Sequence, residues 1–194
     1  TNGEKFIYPN FNKLYKINKD GSGQELLYTT TDGSLISECD WSYDGSKIAL
    51  KTNDLHGYNS KIIVIDMLGN TLKTILSDAN GASGGLNFSV DGNYLVYCHD
   101  VSGYQDDHYR QLDSHIFLYN LTTNTARDLS VESEKENGTN DLDPRLSPNN
   151  SQIIFTNTSN DGISVKNIMV ISISSDTESE RASLFSNGEM PDWE

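Results

Sequence analysis

A chain of 194 residues with 28 acidic and 14 basic side chains carries a net charge of −14 at pH 7, with an isoelectric point near 4.5. Such a surface repels phosphate backbones and no basic stripe reverses it, so nucleic acid is excluded as a ligand. Apolar runs such as residues 62–65 are far too short to span a bilayer, and membrane insertion is not expected.

The chain is organised by one repeat. Asp192-Trp193-Glu194 read into Thr1-Asn2-Gly3-Glu4-Lys5-Phe6-Ile7-Tyr8 gives a phrase that stands intact at Asp40-Trp41-Ser42-Tyr43-Asp44-Gly45-Ser46-Lys47-Ile48-Ala49-Leu50. Looser copies begin at Asn87-Phe88-Ser89-Val90-Asp91-Gly92 and at Arg145-Leu146-Ser147-Pro148-Asn149-Asn150. The apolar markers Trp41, Phe88, Leu146 and Trp193 therefore recur at intervals of about 47 to 58 residues. A period of this length with four strands in each unit is that of a β-propeller, whose sheets bury their faces only against neighbouring sheets.

Taken in chain order, the first unit joins residues 190–194 to 1–30, with strands at 14–18 and 25–28. Asn18-Lys19-Asp20-Gly21-Ser22-Gly23 between them hints at a Ca²⁺ loop, but it lacks the acidic spacing and reads as a hairpin turn. The second unit, 37–77, has an inner strand A at 39–42 and a tight Asp44-Gly45 turn, followed by strands at 47–52, 61–66 and 71–76. The third, 84–130, repeats the pattern with outer strands at 116–120 and 126–129, and the fourth, 141–186, has them at 168–172 and 182–185. The short β-branched runs exclude helix, and none is expected. The whole chain reads as a single all-β domain: a propeller of four blades of four antiparallel strands, closed where the C-terminal strand completes the N-terminal blade by pairing with residues 5–8. Two chains completing an eight-bladed ring, or an arc of a longer propeller, are the alternatives.

On Pro191-Asp192-Trp193, on Trp41-Ser42-Tyr43-Asp44-Gly45-Ser46-Lys47-Ile48-Ala49-Leu50 and on Asp143-Pro144-Arg145-Leu146-Ser147-Pro148, the sequence resembles the TolB-type, WD-repeat-like propeller family. No unit carries the complete phrase, and four units stand where TolB-like propellers usually have six. The resemblance implies a docking surface for proteins in a periplasmic or extracellular setting.

Alternating strand directions place the D-to-A and B-to-C connections on one face and the short A-to-B and C-to-D turns on the other. Long loops on a rigid scaffold are where binding concentrates, so the long-loop face is the one to search. Its largest insertion, residues 99–115, gathers His99, His108 and His115 with Asp106, Asp107, Tyr104, Tyr109 and Arg110. Imidazole and carboxylate suit Zn²⁺ or Mn²⁺, but the fixed spacing of a metal motif is missing. No cofactor is therefore expected, with a divalent cation held by His99, His108, His115, Asp106 and Asp107 as the alternative. A second group precedes the strand A markers: Asp40, Asn87, Arg145 and Asp192, with Glu38, Asp141 and Asp143 upstream. These are expected to cap backbone N–H groups or pair across blades, Arg145 with an aspartate, more readily than to hold an ion.

Gly81-Ala82-Ser83-Gly84-Gly85 fits a hydrolase nucleophile pattern, but a propeller strand follows where that elbow needs a helix. Cys39 and Cys98 lie toward one face on neighbouring blades, and buried thiols are expected there before a disulfide. Two functions stand against each other. One is a monomeric, non-catalytic module that binds a protein or peptide, or a glycan, through Glu38, Asp40, Tyr58, Tyr104, Asp106, Asp107, His108, Tyr109, Arg110, Asp141, Asp143 and Arg145. The other is a metal-dependent carbohydrate lyase or hydrolase using the histidines of the 99–115 loop.

Overall fold

The computed structural model describes residues 3–105, 108, 110–173 and 179–193. Four antiparallel sheets follow one another along the chain, each with its strands in sequence order. The first is β1 (Lys5–Asn10), β2 (Lys13–Asn18) and β3 (Glu25–Thr29); the second is β4 (Leu35–Trp41), β5 (Lys47–Asn53), β6 (Ser60–Asp66) and β7 (Thr71–Ala79). The third is β8 (Ser83–Phe88), β9 (Tyr94–Asp100), β10 (Ser114–Asn120) and β11 (Thr125–Asp128). The fourth is β12 (Thr139–Leu146), β13 (Gln152–Ser159), β14 (Asn167–Ser172) and β15 (Glu180–Ser186). This is the fold of a four-bladed β-propeller.

The repeated phrase is explained by the A-to-B turn it encodes. In the second sheet the fully buried Ser42 hydroxyl donates to Asp44 Oδ1 at 2.7 Å and accepts from Lys47 N at 2.9 Å, while Gly45 N donates to Ser42 O. Ser89 with Asp91 and Tyr94, and Ser147 with Asn149 and Gln152, make the same bonds in the next two sheets. The third turn residue has positive φ in each case: Gly45 +73°, Gly92 +67° and Asn150 +58°. Glycine and asparagine tolerate that conformation best, which is why they occupy the position.

Alternating side chains on each sheet build the core between blades rather than within them. Ile48, Leu50, Ile63 and Ile65 meet Leu14 and Leu27 between the first two sheets. Ala49, Ile62 and Val64 meet Leu86, Phe88, Leu95 and Tyr97 at the next junction, and Val96, Ile116 and Leu118 meet Leu146, Ile153, Phe155 and Ile171 at the last. Toward the two ends the apolar cover thins: Phe6 is 56% exposed and Phe185 66%.

Three expectations are corrected. First, residues 190–193 form no strand, and β1 pairs with β2 alone among the described residues, so the first sheet has three strands and the expected closing ladder is not formed. The segment lies instead against the fourth sheet, where Met190 N donates to Thr156 Oγ1 at 3.1 Å and the Trp193 indole donates to Arg145 O at 3.0 Å. Pro191 offers no N–H to a ladder. Met190 nevertheless has φ +51°, as does Asp143, and Gly85 has +66°; all three stand three residues before their marker. The C-terminal segment thus keeps one strand A feature without the pairing.

Second, a one-turn helix, α1 (Leu129–Glu132), follows β11 where none was expected. Asp128 caps it by accepting from Val131 N at 3.0 Å, and buried Leu129 enters the core of the last junction. Third, strand A is longer than its sequence suggests. β4 begins at Leu35, and its alternation is broken by a bulge between Ile36 and Glu38, with further bulges between Gly84 and Asn87 and between Leu142 and Arg145. Cys39 and Cys98 are free thiols; burial pushes Cys39 up to about 11 and Cys98 up to about 12.

Candidate binding faces and the inner strands

The carboxylates before the strand A markers act as clamps between blades. Glu38 accepts from Leu86 N at 2.7 Å and from Gly85 N at 3.1 Å, and Asp40 accepts from Phe88 N at 2.7 Å, tying β4 to β8. One repeat later, Asn87 Oδ1 accepts from Leu146 N at 2.9 Å and ties β8 to β12. Gly85 and Leu86 lie in the bulge of β8, whereas Phe88 and Leu146 are in regular register on β8 and β12, each the end strand of its sheet with one edge outside the ladder, and the side chains satisfy these N–H groups. Burial raises the pKa of Glu38, and raises that of Asp40 to about 6; the backbone N–H bonds and the charge of Arg145 oppose the rise. Lys51, paired across the ladder with Glu38, is lowered by burial, partly offset by the Glu38 charge.

Arg145 departs from expectation. Its guanidinium donates to Pro144 O at 2.8 Å and forms no ion pair with an aspartate among the described residues. It acts on Glu38 and Asp40 only through its longer-range field. Asp143 takes the left-handed turn at the bulge, with its backbone N–H on the Cys98 sulfur. Asp141 is fully buried and is held by Arg181, by Ser130 Oγ at 2.6 Å and by Asn157 Nδ2 at 2.8 Å. Arg181 also stacks 5.2 Å from the Phe155 ring centroid. With every neighbour already committed, Asp141 belongs to the interior and not to a contact surface.

The 99–115 insertion is anchored at its root. Buried Asp100 accepts from Ser102 N, Leu112 N and Asp113 N at 2.9, 2.8 and 3.2 Å. Asn140 and Asn160 bind Gln111 O and Leu112 O, stitching the loop to the fourth sheet. Beyond this root, Tyr104, Gln105 and Arg110 form a narrow crevice with Gly57, Tyr58, Gly81 and Ala82. Arg110 reaches Asn160 O at 3.2 Å. Three of the expected contact residues, Tyr58, Tyr104 and Arg110, thus come together from two loops. Asp106, Asp107 and Tyr109 lie outside the described residues.

A broader cleft of about 420 Å³ beside the second sheet is lined by Asp32, Ser34, Leu55, His56, Asn59 and Lys61. Lys61 holds Asp32 at 2.5 Å, which with the Ser34 bonds keeps the Asp32 carboxyl far below the ordinary carboxylate range. None of these residues stands out in the sequence; the length of the connections at 29–38 and 53–60 is the signal that could have found the cleft.

The histidines do not assemble. His115 Nδ1 lies 2.8 Å from Asp128 Oδ2 and its Nε2 3.1 Å from Asp113 Oδ1. Burial disfavours the imidazolium, but the Asp128 and Asp113 carboxylates together outweigh it and raise the pKa. With both ring nitrogens engaged by carboxylates, His115 offers no free nitrogen to a metal. Lys135 Nζ joins the network at 2.6 Å from Asp113 Oδ1. His99, directly across the ladder from His115, is lowered by burial, and its Nδ1 is buried without a partner. His108 is exposed on the insertion. Among the described residues, no three His, Cys, Asp or Glu side chains gather as a metal site requires. Ser83 sits within β8 opposite His99, with its Oγ buried and unpaired, and no helix follows it.

No family model and no curated protein matches the sequence. Solved structures do match the fold. TolB from Acinetobacter baumannii is 19% identical, with a TM-score of 0.64 over 92% of this chain and 41% of that one. An oligogalacturonate lyase solved in complex with manganese is 12% identical, with a TM-score of 0.66 over 93% and 50%. A chain of a nidogen/laminin complex is 12% identical, with a TM-score of 0.63 over 93% and 61%. The chain spans about two fifths to three fifths of the length of these structures. At such identities the likeness establishes a TolB-like β-propeller fold and does not choose between binding and catalysis.

Proposed function

We propose that this chain is a non-catalytic binding module that engages a protein partner through its long-loop face. The observation that carries this reading is the convergence of Tyr58, Tyr104 and Arg110 on one crevice, from the 99–115 insertion, whose root is fixed by buried Asp100 and Asn140, and from the 53–60 loop, which Asp54 closes by accepting from His56 N and Tyr58 N. Tyrosine and arginine are the side chains interfaces favour, and anchoring the loop roots lowers the ordering cost of association. The similarity to a chain of the nidogen/laminin complex supports a protein partner, and a periplasmic or extracellular setting and a monomeric state are part of the same proposal.

The rival, a metal-dependent carbohydrate lyase, requires His99, His108 and His115 to act together. The two carboxylates on His115 oppose that arrangement. Capture from native extract with the intact chain and with a Tyr104→Ala/Arg110→Glu variant tests the reading. The variant should lose the captured partner while keeping its melting temperature. Undiminished capture, or metal-dependent cleavage of a polysaccharide, would overturn it.

A further inference from the structure

The opposite face, at the A-to-B turns, carries a second feature that does not depend on the loop-face reading. Both tryptophans of the chain, Trp41 and Trp193, line one crevice of about 210 Å³ with Tyr43, Phe88 and the carboxylates Asp40 and Asp192. The repeat itself makes this crevice, because the markers end strand A where the inner strands converge. It is open to solvent: Tyr43 is 69% exposed and Asp192 is exposed. Asp40 accepts from Phe88 N through Oδ2 and also from Trp41 N, and Asp192 accepts from Trp193 N through Oδ1; a carboxylate offers about four acceptor sites, so each keeps acceptor capacity for a ligand.

We propose that this crevice receives the guanidinium group of an arginine presented by a partner peptide. A flat cation stacks on aromatic rings while its N–H fork pairs with carboxylates. An anion would be repelled by the two acids and by the overall charge of −14. A neutral apolar side chain would cover Asp40 and Asp192 without pairing them, which is unfavourable. An ammonium satisfies the charge but not the flat aromatic walls.

The site should respond to pH. Burial places the Asp40 carboxyl at about 6; the charged groups near it are Glu38 on its own strand, Arg145 on β12 and Asp192 in the C-terminal segment. Protonating Asp40 below that value removes one of the two charges that face the ligand.

Because both tryptophans line the crevice, intrinsic fluorescence reads the site directly. The intact chain is titrated at pH 7.5 with a blocked Gly-Gly-Arg-Gly-Gly peptide and with its Lys and Leu counterparts. The arginine peptide should give a saturable change, the lysine peptide bind at least about threefold more weakly, and the leucine peptide give none. Asp40→Asn keeps an acceptor for Phe88 N, as Asn87 does for Leu146 N in the next blade, and should fold while losing about tenfold in affinity. If that variant fails to fold, the wild-type titration at pH 5 replaces it and should show the same weakening. No saturable change with the arginine peptide, equal binding of the leucine peptide, or undiminished affinity both in Asp40→Asn and at pH 5 would overturn the proposal. Tyr104→Ala/Arg110→Glu should leave the titration unchanged.

Discussion

The inner strands and the 99–115 insertion are both rich in polar side chains, yet they use them differently. On the inner strands, Glu38, Asp40, Asn87 and Asp141 accept hydrogen bonds from backbone N–H groups or buried side chains of neighbouring strands. On the insertion, Asp100, Leu112 and Asp113 fix the root, and Tyr104 and Arg110 are left facing outward. The acidic residues of the inner strands and of the loop root are thus committed to the fold, and the exposed side chains beyond the root are Tyr104 and Arg110. A polar residue beside the unpaired edge of a neighbouring inner strand has N–H groups to satisfy, whereas one beyond an anchored loop root does not.

Replacing Arg181 by Ala is the most severe way to break the inner network, since it leaves Asp141 charged, buried and short of its principal partner. It should cost about 3–5 kcal/mol in denaturant unfolding; a loss under 1 kcal/mol would place Asp141 outside the load of the fold. Gly85→Ala comes next. A Cβ there would stand 2.5 Å from Pro144 Cδ at φ +66°, so strain and overpacking together should cost about 2–4 kcal/mol.

The His115 network gives a smaller, pH-dependent effect. Its raised pKa means that its stabilisation is complete below the unfolded histidine value near 6.5 and is lost as pH rises through the folded value. The melting-temperature gap between the intact chain and His115→Gln should therefore be widest near pH 5.5 and narrow toward pH 8.5. A gap that widens with pH would show that His115 is not held as an imidazolium. At the tip of the insertion, Tyr104→Ala should change stability by no more than about 0.5 kcal/mol, as befits an exposed side chain.

The regular part of this structure was legible because one phrase repeats. Ser42-Tyr43-Asp44-Gly45 specifies a turn that its own hydroxyl and carboxylate close, and Ser89 and Ser147 do the same. The clamping role of Asp40 and Asn87 could also be anticipated, since polar groups beside an inner strand need partners. Other features left no local signal. Bulges interrupt the alternation that would have placed the start of β4 at Leu35. Helix α1 is one turn long and depends on the Asp128 cap and on Leu129 entering an existing core. The engagement of His115 on β10 by Asp128 on β11 and by Asp113 just before β10 depends on strand pairing, which composition alone presents as a metal-like cluster. The C-terminal phrase matched the repeat in sequence, but Trp193 bonds to Arg145 and, among the described residues, no ladder forms with β1.

Hydrogen–deuterium exchange of the intact chain, with and without the partner captured from native extract, tests the loop-face reading most directly. Added protection is predicted in residues 53–60 and 99–114, where Tyr58, Tyr104 and Arg110 converge. Unchanged exchange in both loops while the partner is bound would contradict it.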